Sequence, residues 1–214
     1  TGIGLYPDGM VEHDGHVGLL LDKLEELGIA DNTIVVYSTD NGVHMNTWPD
    51  GGMTPFRSEK NSCWEGAFRV PAIFWWPGNV PAGRTCAEMA TTMDLLPTFA
   101  RLAGTDPPQD RIIDGKDIWP VLTGNAKSPH EAFLYHKGNK LAAVRSGKWK
   151  LYLGGAEGKG RRGSRGSALY DLEADISEKK NVLNDHPDVA ARLRSYVKAF
   201  QEELAQNSRP AAFV

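Results

Sequence analysis

Little in this sequence ties it to a redox couple, a membrane or a nucleic acid. Its 214 residues hold two cysteines, Cys63 and Cys86, and their separation fits neither a paired zinc motif nor a Cys-x-x-Cys redox pair. A disulfide between them and a reducing compartment are both compatible with so few thiols, so the compartment stays unread. No apolar run is long enough to span a bilayer. The opening TGIGLYPDGM has neither a basic start nor a long apolar stretch, so it does not read as a secretion signal. That abrupt start, without methionine, leaves open a fragment or a processed chain. The formal net charge of -3 gives no overall attraction to nucleic acid or to anionic lipid. No internal repeat of convincing period is present.

What is there is a patterned globular chain, 41% hydrophobic, large enough to bury a substantial core. Over residues 10–27, Val17, Leu20, Leu21, Leu24 and Leu27 recur on one side of a predicted helix that can bury one stripe, with Gly28 as its stop. The β-branched run at 33–38 predicts a buried strand, and residues 72–76, ending at Pro77-Gly78, predict a second strand buried on both sides or against another layer. A further helix begins near Thr92, with Leu96, Phe99, Ala100 and Ala103 on a shared face and Gly104 as its end. Beyond residue 124 the pattern changes to short strands at 132–135, 141–145, 149–153 and 168–171. An amphipathic helix follows at 187–204, with Asp185 as its candidate cap. The expected organisation is an α/β unit over 1–125, followed by a small α+β subdomain over 126–214.

Chemistry enters at the strand ends and loops. Asp40-Asn41-Gly42 follows the first strand, where short polar groups commonly form binding sites and Gly42 permits an unusual backbone angle. Asp40 and Asn41 offer a carboxylate and an amide oxygen to a hard cation such as calcium, which needs several more donors; an ordinary Asp-Asn-Gly turn looks the same. Lys60 lies beside Ser62, Trp64 and Glu65 and has the charge to hold a tetrahedral anion; a surface lysine is the competing reading. Trp64 fits core packing, and Glu65 fits pairing with Arg69 or a local cap. His44 stands near Asp40, though a solvated loop histidine is the stronger reading, and neither His13 nor His16, nor the carboxylates at Glu12, Asp14 and Asp50, identify a base. The glycine-rich loop GGAEGKGRRGSRGS carries Lys159, Arg161, Arg162 and Arg165. Without interleaved aromatics it reads as a solvated loop and not as a nucleic-acid module.

Taken in order, NTIVVYSTDNG, PFRSEKNSCWEGAFRVPAIFWWPG, TTMDLLPTFARLAG and ALYDLEADISEKKN resemble the C-terminal half of the arylsulfatase-like sulfatase family. The resemblance implies an α/β fold, namely an incomplete sulfatase or alkaline-phosphatase-like core followed by a small antiparallel sheet with a C-terminal helix. It further implies Ca2+ held by Asp40 and Asn41, and Lys60 beside the sulfate of a sulfate-ester substrate. The family's nucleophile is a hydrated formylglycine made from cysteine or serine. Cys63, in NSCWEG, lacks the spacing of that modification sequence, so its precursor and the remaining acidic ligands are expected in a missing N-terminal sulfatase region. On this reading the parent protein hydrolyses sulfate esters and the chain alone is catalytically incomplete. It needs that region as a partner and leaves an oligomer open. Asp171, Glu173 and Asp175, with Tyr170 and Leu172, read as architecture. A metal-dependent phosphoester hydrolase and a non-catalytic structural or interaction fragment are the alternatives.

Overall fold

The computed structural model describes residues 1–44, 51–124, 126–154 and 166–208. Asp50 and the basic residues Lys159, Arg161, Arg162 and Arg165 lie outside the described residues. The chain forms two compact units, residues 1–87 with 120–126, and residues 88–119 with 127–214.

In the first unit, α1 runs Leu5–Glu26 and stops where the sequence predicts. Gly28 adopts φ 66° and donates its N–H to the Glu25 carbonyl at 2.9 Å, a left-handed closure that a side chain would strain. The expected buried stripe does not form: Val17, Leu21 and Leu24 are half-buried, Leu20 and Leu27 are exposed, and no residue of α1 is buried. Strands β1, Val35–Ser38, and β2, Ala72–Trp75, pair antiparallel, from Val35 opposite Trp75 to Ser38 opposite Ala72. The predicted double-sided burial of β2 fails, since Ile73 is 59% exposed. Continuous apolar sequence reports capacity for burial and not its completion. Three polar contacts fix the strand ends and the helix. Ser38 Oγ donates to the Pro71 carbonyl at 2.9 Å, Trp76 Nε1 donates to that of Asp31 at 2.7 Å, and His13 Nε2 lies 3.2 Å from the Tyr37 hydroxyl. The first unit also holds the short helix α2, Glu65–Phe68.

In the second unit, α3 spans Leu95–Leu102 and ends at Gly104 with φ 74°. Its inward face is not the predicted apolar one, because Asp94, Pro97 and Thr98 are buried while Leu96 is exposed. Asp94 closes a capping box with Thr91. The five-residue helix α4, Trp119–Thr123, crosses the boundary between the units. Four antiparallel strands follow as a meander, β3 Phe133–Lys137, β4 Lys140–Ser146, β5 Trp149–Tyr152 and β6 Ala168–Asp171. Helix α5, Pro187–Asn207, starts with Pro187 in its first turn, and His186 takes the cap position in place of Asp185. Val144, Leu151 and Leu169 on the sheet pack with Ala190 and Leu193 of α5 to make the core. Because side chains alternate along β5, Lys150 points away from that core. It is nonetheless fully buried, with Nζ 3.0 Å from Glu178 Oε1 and 4.2 Å from the centre of the Tyr135 ring.

Candidate functional site

The Asp40-Asn41-Gly42 turn is set by the end of β1. Asp40 is exposed and Asn41 half-buried, its Nδ2 donating to the Gly42 carbonyl at 2.9 Å. That bond leaves the amide oxygen of Asn41 as the end suited to a cation. Gly42 is needed for close approach, not for the unusual angle expected of it. A Cβ there would lie 1.8 Å from the Gly66 carbonyl oxygen, while its N–H donates to the Ala67 carbonyl at 2.9 Å. Gly66 is stacked as tightly on its other side, where a Cβ would meet the Ser58 oxygen at 2.2 Å and the Arg57 oxygen at 2.5 Å. Three layers of backbone therefore pass each other with no room for a side chain between them.

This stacking brings the Lys60 segment to the turn. The Lys60 N–H donates to the Val43 carbonyl at 2.9 Å, three residues past Asp40. Gly66 N–H donates to the Arg57 carbonyl at 2.8 Å and closes a loop over residues 57–66. The loop stands on a buried base of Cys63, Trp64 and Glu65, and Lys60 itself is exposed. Trp64 therefore serves as packing, and Arg69 joins Glu65 through a backbone bond of 2.8 Å while its guanidinium lies over Phe56. A carboxylate, an amide and an ammonium are thus carried by two backbone segments hydrogen-bonded to each other. Such a set can bind a hard cation on one side and an anion on the other.

The donor types fit a calcium-like ion, but two residues supply fewer than the about six to eight oxygens such an ion takes. Among the described residues no group of three or more His, Cys, Asp or Glu side chains is placed to hold a metal. His44 is half-buried beside Val43, whereas His16, Glu12 and Asp14 are exposed along α1. The acidic loop after β6 works on its own backbone: Asp171 Oδ1 accepts the N–H groups of Glu173 and Ala174 at 3.1 and 3.2 Å, and Asp175 Oδ2 those of Lys179 and Lys180 at 2.6 and 2.7 Å. Burial raises the Asp171 carboxyl, yet the Lys148 ammonium and those N–H groups hold it below the usual range. Sequence reasoning missed Gly66 and Arg57. The glycine directly after Trp64-Glu65, in a stretch otherwise rich in bulky side chains, was the signal for a close approach.

Comparison with known proteins agrees with the order of these segments. A sulfatase model matches residues 2–105, and a model described as N-sulphoglucosamine sulphohydrolase, C-terminal, matches residues 57–207. The chain is 40% identical to N-acetylgalactosamine-6-sulfatase of Canis lupus familiaris over 152 residues, covering 70% of this chain and 29% of that protein. It is 42% identical to an arylsulfatase of Hemicentrotus pulcherrimus over 151 residues, covering 70% and 27%. Among solved structures, the PsFucS1 sulfatase from Pseudoalteromonas sp. superposes with a TM-score of 0.85 at 25% identity, covering 95% of this chain and 44% of that one. The chain thus spans less than a third of the length of the curated relatives it matches.

These matches correct part of the expectation drawn from sequence. The α/β architecture with small antiparallel sheets and a C-terminal helix stands, but the description of an incomplete core lacking the sulfatase domain does not, since sulfatase-domain sequence is matched from residue 2 onward. For the same reason the chain does not require a missing N-terminal sulfatase region as a partner. The formylglycine precursor is no longer assigned to such a region outside the chain. A modification motif that is not legible in the sequence therefore does not show that the domain is lacking. Among the described residues no helix is long and apolar enough to cross a membrane.

Proposed function

Because this chain belongs to the sulfatase family, we propose that the protein carrying it hydrolyses sulfate esters, with Lys60 holding the sulfate group and Asp40 and Asn41 lending oxygens to a calcium ion. The observation that carries the reading is the pair of backbone bonds, Lys60 N–H to Val43 and Gly42 N–H to Ala67, both 2.9 Å, which join the lysine loop to the oxygen-bearing turn. A bound calcium ion would supply a fixed positive charge against the sulfate oxygens. Lys60 would offset the charge that grows on the ester as its bond to sulfur breaks. The matched relatives are named for sugar, aryl and steryl sulfates, so the reading goes as far as a sulfate ester and no further.

The test is sulfate release by the full-length protein. Lys60→Ala should lower kcat/KM by about 10²- to 10³-fold, the usual effect of deleting one charge-stabilising donor, while the fold is kept. Equal turnover by the variant would remove Lys60 from the site. Asp40→Ala should weaken calcium binding in calorimetry, and unchanged affinity would put the ion elsewhere. A phosphoester substrate is the competing reading. Faster turnover of 4-nitrophenyl phosphate than of 4-nitrophenyl sulfate would favour it.

A further inference from the structure

Lys60 is exposed and long, and its own backbone has one bond to the neighbouring turn, at Val43. Something else must fix where its ammonium can reach. The loop that carries it, residues 57–66, is bent against preference on both sides of the lysine: Ser58 has φ 61° and Asn61 φ 68°, the left-handed region that residues with a side chain enter at a cost. Such a shape persists when the surroundings hold it closed. Two contacts of one residue do so. The Arg57 carbonyl accepts the Gly66 N–H at 2.8 Å, and the Arg57 guanidinium carbon lies 3.6 Å from the centre of the Trp64 ring. Trp64 is 4% exposed and Arg57 half-buried, so the cation meets the ring partly desolvated, where the attraction is stronger than on an open surface. Between these anchors, Ser62 Oγ donates to the Glu59 carbonyl at 2.7 Å and tightens the turn around Lys60.

We propose that Arg57 is a positioning residue for Lys60: by stacking on Trp64 it holds the loop closed and sets the lysine for the anion, without touching substrate itself. The proposal rests on the reading of Lys60 as the sulfate-holding group. A flat guanidinium suits the role because it can lie against the indole along its whole plane, which a lysine ammonium cannot do. The stacked glycines make the loop's base rigid, so relaxation after loss of the arginine falls on the strained stretch 58–61, where Lys60 sits.

A double-mutant cycle in the full-length protein tests this, with 4-nitrophenyl sulfate as the probe and urea unfolding to confirm that each variant is folded. Arg57→Ala should lower kcat/KM about tenfold to 10²-fold, mostly in kcat, as expected when a reacting group is misplaced by about 1 Å. Arg57→Lys should recover part of the loss. In a Lys60→Ala background the same Arg57→Ala change should cost less than about twofold, because a positioning residue has nothing left to position. Full activity of Arg57→Ala, or an equal loss with and without Lys60, overturns the proposal. If Arg57→Ala does not fold, Trp64→Phe replaces it. A smaller kcat loss that again vanishes with Lys60→Ala supports the role, and an undiminished loss defeats it. Failure of the underlying reading looks different: Lys60→Ala alone would then keep full turnover, whatever Arg57 does.

Discussion

The two units are held together by different means. In the second, side-chain volume does the work, with Val144, Leu151, Leu169, Ala190 and Leu193 all but inaccessible to solvent and a fully buried Lys150–Glu178 pair on the other side of the sheet. In the first, α1 buries no residue, and the tightest contacts are between backbones, at Gly42 against Gly66 and Gly66 against Arg57 and Ser58. A packed core tolerates many exchanges of similar size. A backbone crossing tolerates almost none, since any side chain larger than hydrogen forces the two strands of chain apart. The candidate site sits on the second kind of structure, with Cys63, Trp64 and Ala67 buried beneath it.

The sharpest way to break the contrast is to attack the buried pair. Lys150→Met should cost about 3–5 kcal/mol, because Glu178 would be left buried beside an uncharged side chain, and Lys150→Met with Glu178→Leu should regain most of it. Urea midpoints of the two variants decide the matter. A single substitution costing under about 1 kcal/mol would mean that other groups satisfy Glu178, and that the second unit relies on its apolar core alone.

Next comes the crossing itself. Gly42→Ala should cost about 1–3 kcal/mol, toward the upper end, since the atom that the new methyl meets at 1.8 Å is backbone and has no rotamer to escape into. Gly28→Ala is the control. Its φ of 66° strains any side chain, but no atom lies within 4 Å, so about 1–2 kcal/mol is expected and sulfate release should be untouched. Equal effects of the two substitutions on turnover would separate the crossing from the site.

How far this was legible beforehand follows from the range of each interaction. Local signals held: Gly28 and Gly104 end their helices, Pro187 opens α5, and the short runs beyond residue 124 fall on the four strands of the meander. Long-range ones did not. Nothing near Asp94 in the chain reveals that it is wholly buried among partners from Lys116 and His130, and Lys150 looks like the outward residue of an alternating strand. The same limit applies to the site. Asp40, Asn41 and Lys60 are candidates through their resemblance to a family, whereas Gly66 and Arg57 approach residues that only the fold brings near. Recognition by motif also misleads: the absence of a legible modification motif suggests a missing region, yet sulfatase-domain sequence is matched from residue 2.

A pH measurement probes a smaller term in the second unit. Burial raises the Asp94 carboxyl, but His130 Nε2 at 2.7 Å and the N–H groups of Lys116 and Thr91 at 2.8 and 2.7 Å outweigh it and leave it below its ordinary value. A carboxyl lowered by folding adds stability that is present above its unfolded pKa, about 3.9, and is lost as pH falls through the lower folded value. The melting-temperature gap between wild type and Asp94→Asn should therefore narrow as pH falls below about 4. A gap that stays constant through that range would show the hydrogen bonds to be indifferent to the carboxyl's charge.

The smallest effect is expected on α1. Leu20 is 68% exposed, so Leu20→Gln exchanges one good helix former for another and removes little apolar area from cover; on the 214-residue chain it should change stability by less than about 0.5 kcal/mol. Leu193→Ala, at a position with no exposure, should cost about 2–5 kcal/mol. Unfolding curves at two protein concentrations make the comparison strict. A loss above 1 kcal/mol for Leu20→Gln that grows with concentration would mean that the apolar side of α1 is covered in solution by a second copy, and the first unit would then owe its stability to side-chain burial after all.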